Sequence, residues 1–322
     1  MRNVISKDGT PIEFDQVGER SPLVLVGGVL GDRSQHAALT ALLASHFMVF
    51  NYDRRGHGES GDTPPYAVER EIEDLDALLN EAGGSAFVYG TSGCAVLALS
   101  AAAAGLASKI RRLALWEPSF IVDESRPPVP QDYKEQLISL LREGRRGDMV
   151  ALFMTAAVGI PVEFVASMRT QPWWPAQEAL AHTLISDATI MGDFSLPKER
   201  IASVTIPTLV IEGGETLWLS HAAQATASAL PNARLIKENV SEEVSRLKQE
   251  VGQDVLVAGS GDLVQTLMRY ELIDEYRLLV HPVVVGSGRR LFQDGSKTTL
   301  KMVATKTFLS GVVLLSYQPI QS

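Results

Sequence analysis

The stretch Val88-Tyr89-Gly90-Thr91-Ser92-Gly93-Cys94 constrains this chain more than any other. A short apolar run ends in small residues and opens at once into the alanine-rich segment Ala95 to Ala104. A strand that turns so abruptly into a helix must hold one residue in a strained backbone conformation, and Ser92 stands at that point. The turn pushes the serine oxygen out above the sheet edge, and only small neighbours clear it. Four of the five positions of a G-x-S-x-G pattern are met, with Cys94 where the last glycine would be. A serine at an ordinary strand-to-helix turn has the same local pattern, so the flanking segments decide.

Those segments alternate. Arg2 to Ser6 and Pro11 to Val17 flank the turn-rich Lys7-Asp8-Gly9-Thr10, the pattern of an antiparallel hairpin. Pro22 to Val26 runs wholly apolar into Gly27-Gly28, as a strand buried on both faces does. His36 to Ala44 has helical spacing, and Phe47 to Tyr52 reads as a strand leading into Asp53-Arg54-Arg55-Gly56-His57-Gly58-Glu59-Ser60. Val68 to Glu81 reads as a helix and Arg112 to Trp116 as a further strand. This alternation predicts a doubly wound, mainly parallel α/β sheet. From Pro127 to about Met191 the strand signals stop, which predicts a helical cap over the strand ends. Its Met154, Met168, Trp173, Trp174 and Met191 either line an apolar pocket or fill the core of the cap. The alternation resumes with a strand Pro207 to Ile211, a helix Ser220 to Leu230 and a strand Ala233 to Lys237.

Composition narrows the function classes. With 322 residues, 45% of them hydrophobic, the chain can bury one large core or two modest ones. Its net charge of -9, without a basic block, argues against nucleic acid as a partner. One cysteine forms no internal disulfide, and neither an apolar leader nor a long apolar span is seen, so a cytoplasmic protein without membrane contact is expected. A small-molecule substrate is the expected partner, no metal set stands out, and a homo-oligomer is compatible with the sequence.

Val24 to Gly28, the Tyr52 to Ser60 loop, the Ser92 elbow and the segment Pro207 to Gly214 together resemble the α/β-hydrolase superfamily, in its esterase and haloperoxidase-like branch, over residues 1–234. The resemblance implies Ser92 as nucleophile of acyl transfer on a small apolar ester, with no cofactor. It implies the backbone N–H groups of Val29 and Gly93 as oxyanion donors. For the acid it points to Glu215, in the loop after the strand ending at Ile211, with Glu117 after Trp116 as the alternative. The base is the departure from the family. A histidine is expected in the loop after the last strand, and Glu238-Asn239-Val240-Ser241 contains none. Among His36, His46, His57, His182, His221 and His281, a recruited base could come from His36, His182 or His221. Efficient turnover is therefore not expected, and a catalytically silent scaffold or fusion product is the reading opposed to an enzyme.

Past Leu235 the pattern changes. Asp254 to Ala258 reads as a strand ending in Gly259-Ser260-Gly261, Asp262 to Tyr270 as a helix, Glu275 to Val285 as a long strand, and Leu300 to Phe308 with Val312 to Gln318 as a hairpin. Asp254 to Leu267, Leu272 to Leu278 and His281-Pro282-Val283-Val284-Val285-Gly286-Ser287-Gly288 resemble the C-terminal half of the dihydrofolate-reductase-like domain of bacterial riboflavin-biosynthesis deaminase/reductases, over residues 235–322. That resemblance implies NADPH held by Gly259, Ser260, Gly261 and Asp262, and reduction of the riboflavin-pathway type as the alternative activity. Ala258 stands where the riboflavin reductases tend to carry a glutamate, and nothing in residues 1–234 resembles the first half of that fold. The partial α/β segment is expected to extend or abut the hydrolase sheet through Ala233 to Lys237, with Asp254 to Ala258 added beside it.

Overall fold

A computed structural model describes residues 2–214, 216–237, 244–245, 248–249, 257, 261–284, 290–292, 298–308 and 311–320. The chain divides into two compact units, Met1–Lys237 and Glu238–Ser322.

The larger unit is built on an eight-stranded sheet. Its strands are β1 (Arg2–Ile5), β2 (Pro11–Val17), β3 (Pro22–Val26), β4 (Met48–Tyr52), β5 (Ala86–Thr91), β6 (Ile110–Trp116), β7 (Thr208–Ile211) and β8 (Ala233–Ile236). They lie in the order β1-β2-β4-β3-β5-β6-β7-β8. The hairpin β1–β2 and the pair β2–β4 are antiparallel, and every pairing from β4 through β3 to β8 is parallel. β3 is buried at all five positions because helices cover both faces of a parallel sheet, which is why its sequence is apolar throughout. β8 pairs with β7 through Thr208↔Ala233 to Ile211↔Ile236, so this segment completes the sheet as expected.

The helices flanking the first strands are α1 (Ala37–Leu43), α2 (Val68–Glu81) and α3 (Gly93–Ala103). In α2 the buried Leu75, Leu78 and Leu79 make one apolar stripe, and Glu69 and Glu71 sit in the first turn, where the helix dipole favours acids. α3 has almost no polar face, because eight of its eleven residues are buried and alanine lets it lie close on the sheet. The strand order reverses at β3, whose neighbours are β4 and β5, and a crevice outside the strand ends forms at such a point. The loops after β3 and β5 both open there.

The cap comprises α4 (Tyr133–Arg142), α5 (Arg146–Leu152), a π-helical turn Phe153–Val158, α6 (Val162–Met168), α7 (Trp174–Leu180) and α8 (Leu184–Met191). Trp174 and Met191 are buried in the core, whereas Trp173 is 43% exposed and lines no interior. The short α9 (Lys198–Ile201) and then α10 (Leu217–Ala229) lead back to the sheet.

One glycine is held by backbone on two sides. A Cβ on Gly18, at φ +92°, would stand 2.1 Å from the Phe47 carbonyl oxygen and 2.5 Å from that of Ala44. Neither neighbour is a flexible side chain. Gly18→Ala is expected to cost at least about 2 kcal/mol in urea unfolding, and a loss within about 0.5 kcal/mol would contradict that packing.

In the smaller unit, α11 (Gly261–Arg269) precedes an antiparallel sheet of β9 (Tyr276–Val280), β10 (Leu300–Thr307) and β11 (Val313–Pro319) in the order β10-β11-β9. The hairpin β10–β11 falls where the sequence places it, with a register shift between Met302 and Ala304. The strand expected over Glu275 to Val285 is shorter: β9 ends at Val280, since Pro282 has no N–H to donate to a ladder. Of the strand expected over Asp254 to Ala258 only Val257 is among the described residues, so its place beside β8 lies outside them, and the three described strands of this unit pair with one another. Among the described residues no helix is long and apolar enough to cross a membrane, and no group of three or more His, Cys, Asp or Glu could hold a metal ion.

Candidate active site

Ser92 joins β5 to α3 at φ +53° and ψ −127°, a conformation that L-residues other than glycine rarely adopt. The turn is pinned on both sides: Ser92 N–H donates to the Trp116 carbonyl at 2.8 Å, and the Ser92 carbonyl accepts from Ala95 N–H at 3.0 Å. A Cβ on Gly90 would meet the Cys94 carbonyl oxygen at 2.7 Å and Ala95 Cα at 2.9 Å, so the small residue there is a requirement of the turn. Cys94 is buried and its thiol is pushed up to about 12, chiefly by desolvation, so no thiolate competes with the serine at neutral pH.

The hydroxyl of Ser92 lies 2.8 Å from that of Ser119. Ser119 donates its one hydrogen to the Glu117 carbonyl at 3.3 Å, which leaves its oxygen to accept from Ser92. Sequence reasoning missed Ser119. The signal was present in Trp116-Glu117-Pro118-Ser119, where β6 ends and a proline deflects the chain, but nothing local says that this loop meets a residue 27 positions earlier.

The loop after β3 forms the opposite wall. A Cβ on Gly93 would lie 3.3 Å from Val29 Cγ2 and 3.8 Å from Met191 Sδ, so the elbow, this loop and the end of α8 converge. Leu30, at φ +54°, is fully buried, and its carbonyl accepts from Gln177 Nε2 of α7 at 3.0 Å, tying cap to loop. The N–H groups of Val29 and Gly93 have no protein partner among the described residues.

The acids are placed differently from one another. Glu215 lies outside the described residues. Glu117, itself at φ +49°, accepts the Gly213 N–H on Oε1 at 3.0 Å, and so bridges the ends of β6 and β7. Glu212 accepts from Ser220 Oγ at 2.7 Å. Among the described residues no histidine is bonded to Ser92. His36 packs edge-on to Tyr89, His57 donates Nδ1–H to the Arg55 carbonyl at 2.9 Å, and His221 bonds through Nδ1 to Asp123. His182 Nδ1 is buried without a partner.

Beneath the elbow runs a buried charge network. Arg54 donates from Nε and Nη2 to the two Glu71 oxygens at 2.7 and 2.6 Å, and from Nη1 to Asp187 of α8 at 2.7 Å. Tyr66 donates to Glu71 at 2.9 Å. Burial pushes the Glu71 carboxyl up, but Arg54 outweighs it and holds the group below its ordinary value. Burial depresses both His36 and His57, and Arg54 adds to the effect at His57. Below pH 6.5 the unfolded chain therefore takes up protons that the folded chain refuses, and stability falls as pH drops. The urea midpoint is expected to hold above about pH 7 and decline on acidification towards about pH 5, less steeply in His57→Gln; a midpoint that rises over that interval would oppose the assignment.

In the smaller unit, Gly259 and Ser260 lie outside the described residues, and Gly261 and Asp262 open α11. A helix start of that kind offers N–H groups to a phosphate, as the expected dinucleotide would require.

Comparison with known proteins finds likeness both to a reductase-type domain and to α/β hydrolases. A family model described as the RibD C-terminal domain matches residues 199–314, beginning inside the larger unit and overlapping α10 and β8. The uncharacterized protein YyaP of Bacillus subtilis is 45% identical over 86 residues, 26% of this chain and 46% of that protein. The chain thus spans just under half the length of the curated relatives it matches. Among solved structures, an α/β hydrolase from Sphaerobacter thermophilus is 48% identical and superposes with a TM-score of 0.71, covering 84% of this chain and 99% of that one. A thermophilic esterase from Thermogutta terrifontis, 22% identical with a TM-score of 0.56, covers 77% of this chain and 96% of its own and shares the fold.

Proposed function

Since this chain belongs to the α/β-hydrolase family and carries a RibD C-terminal domain, we propose that it is a serine acyl-hydrolase of low turnover, acting through Ser92 on small apolar esters. The observation that carries the reading is the backbone of Ser92, at φ +53° and ψ −127°. A strained residue persists only where its surroundings hold it, and here the strain sets one hydroxyl at the crevice of the sheet. Ser92 Oγ attacks the acyl carbonyl and passes its proton to water, the N–H groups of Val29 and Gly93 hold the charge that develops on the carbonyl oxygen, and the alcohol of the ester leaves with the electron pair of the broken C–O bond. Ser119 accepts the hydrogen bond of the attacking hydroxyl and fixes its rotamer. An alcohol is far too weak a base to keep the proton, so the step is slow and favours activated acyl groups.

The test is labelling with a fluorophosphonate. Slow modification that disappears in Ser92→Ala is expected. No labelling of the folded protein, or equal labelling of the variant, would reject the reading.

The match to the RibD C-terminal domain favours a second reading, in which Gly259 to Asp262 hold NADPH for a reduction. All four tryptophans, Trp116, Trp173, Trp174 and Trp218, belong to the larger unit, so the emission of NADPH itself is the better reporter. Saturable enhancement of that emission, lost in Gly261→Asp, supports cofactor binding, and its absence leaves the smaller unit without it.

A further inference from the structure

A cavity of about 530 Å³ lies between the loop after β6, the segment before α9 and one face of α10, and neither Ser92, Ser119 nor Val29 lines it. That is within the volume range of small-molecule sites. Its polar side chains are Asp123, Ser195, Lys198, His221, Gln224 and Ser228, and its apolar wall includes Val122 and Leu196.

The hydrogen-bond inventory decides what such a cavity takes. Asp123 is already satisfied: Oδ1 accepts from both the N–H and the hydroxyl of Ser125, and Oδ2 is bonded to His221 Nδ1. Three donors on one carboxylate leave little for a cationic ligand. Gln224 sends its amide hydrogens to Ser220 and Glu212, and the hydroxyl hydrogens of Ser195 and Ser228 go to Asp193 and to the Gln224 carbonyl. What remains on the polar side is Lys198 Nζ, which has no carboxylate partner among the described residues, and His221 Nε2, which is left for a ligand once Asp123 holds Nδ1. A carboxyl group fits that pair. One oxygen meets the lysine ammonium, the other shares a proton with the imidazole, and a short hydrocarbon tail covers Val122 and Leu196.

We propose that this cavity is a binding site for small monocarboxylates, separate from Ser92 and independent of the acyl-hydrolase reading. It differs from a surface ion pair in having an oriented histidine and an apolar wall beside the cation.

The experiment is titration of the full chain with sodium butyrate, followed by ligand-observed NMR. Saturable binding is expected. Lys198→Ala and His221→Asn should each weaken it about tenfold, the effect of losing one hydrogen bond to a charged group. Both positions are solvent-accessible, so the variants are expected to fold, and circular dichroism checks this. Ser92→Ala should leave binding unchanged whether or not Ser92 proves to be a nucleophile. Absence of saturable binding, indifference to both substitutions, or loss of binding in Ser92→Ala would each overturn the proposal.

Discussion

Arg54→Ala is expected to destabilise the protein by about 3–5 kcal/mol, the largest single-residue effect anticipated in this chain. Arg54 is among the largest side chains with essentially no exposure, and it is the cation between two buried carboxylates from different layers. Glu71 belongs to α2 and Asp187 to the cap helix α8, so the guanidinium fastens the cap to the body of the domain. Alanine removes the attraction, leaves two acids buried without a counter-charge and opens a void. Burial then penalises both carboxylates, which no longer have a counter-charge. Asp187 is left the poorer in hydrogen bonds, because its Oδ2 has no partner among the described residues, whereas Glu71 keeps the Tyr66 hydroxyl. The control is Arg54→Met combined with Glu71→Gln and Asp187→Asn, which trades the charges for neutral groups of similar volume and should recover most of the loss. Urea unfolding of the unmutated protein, Arg54→Ala and the combined variant checks this. A loss below about 1 kcal/mol in Arg54→Ala would mean that water reaches the network.

The elements most legible in sequence were those fixed by local periodicity. The boundaries of α2 agree to the residue, because its apolar stripe and acidic first turn are both local signals. β3 and β5 were legible for a different reason, since continuous apolar runs closed by small residues are what two-sided burial demands. The elbow was legible because its constraint is steric and acts within five residues. What escaped is what depends on distance along the chain. Arg54 meets Asp187 across 133 positions, and Ser119 meets Ser92 across 27. Each of these residues, read alone, passes for a loop or surface group. The overlong reading of β9 has the opposite origin: apolar alternation persists past Val280, and the backbone chemistry of Pro282 ends the ladder that the side chains would have continued.

Imidazole in solution is expected to raise Ser92-dependent ester hydrolysis by about tenfold or more, a fraction of the 10²–10⁴-fold that a positioned general base supplies. The chain has a strained serine and two backbone donors without a partner among the described residues, but His57, His221 and His36 are engaged elsewhere, with the Arg55 carbonyl, Asp123 and the Tyr89 ring. A free imidazole approaching Ser92 completes the step. Its nitrogen takes the Ser92 proton as Oγ bonds to the carbonyl carbon, and nitrophenolate leaves with the electron pair of the broken ester bond. A second imidazole then deprotonates the water that releases the acid. Imidazole also cleaves nitrophenyl esters unaided, so the quantity that matters is the difference between the protein and Ser92→Ala at each imidazole concentration. Ser119 sharpens the test. Its hydroxyl occupies the acceptor position 2.8 Å from Ser92 that an imidazole nitrogen would take, so Ser119→Ala should lower the rate without imidazole and increase the response to it. A difference that stays flat with imidazole would mean that the proton leaves by another route, through a group of this chain that already acts as base.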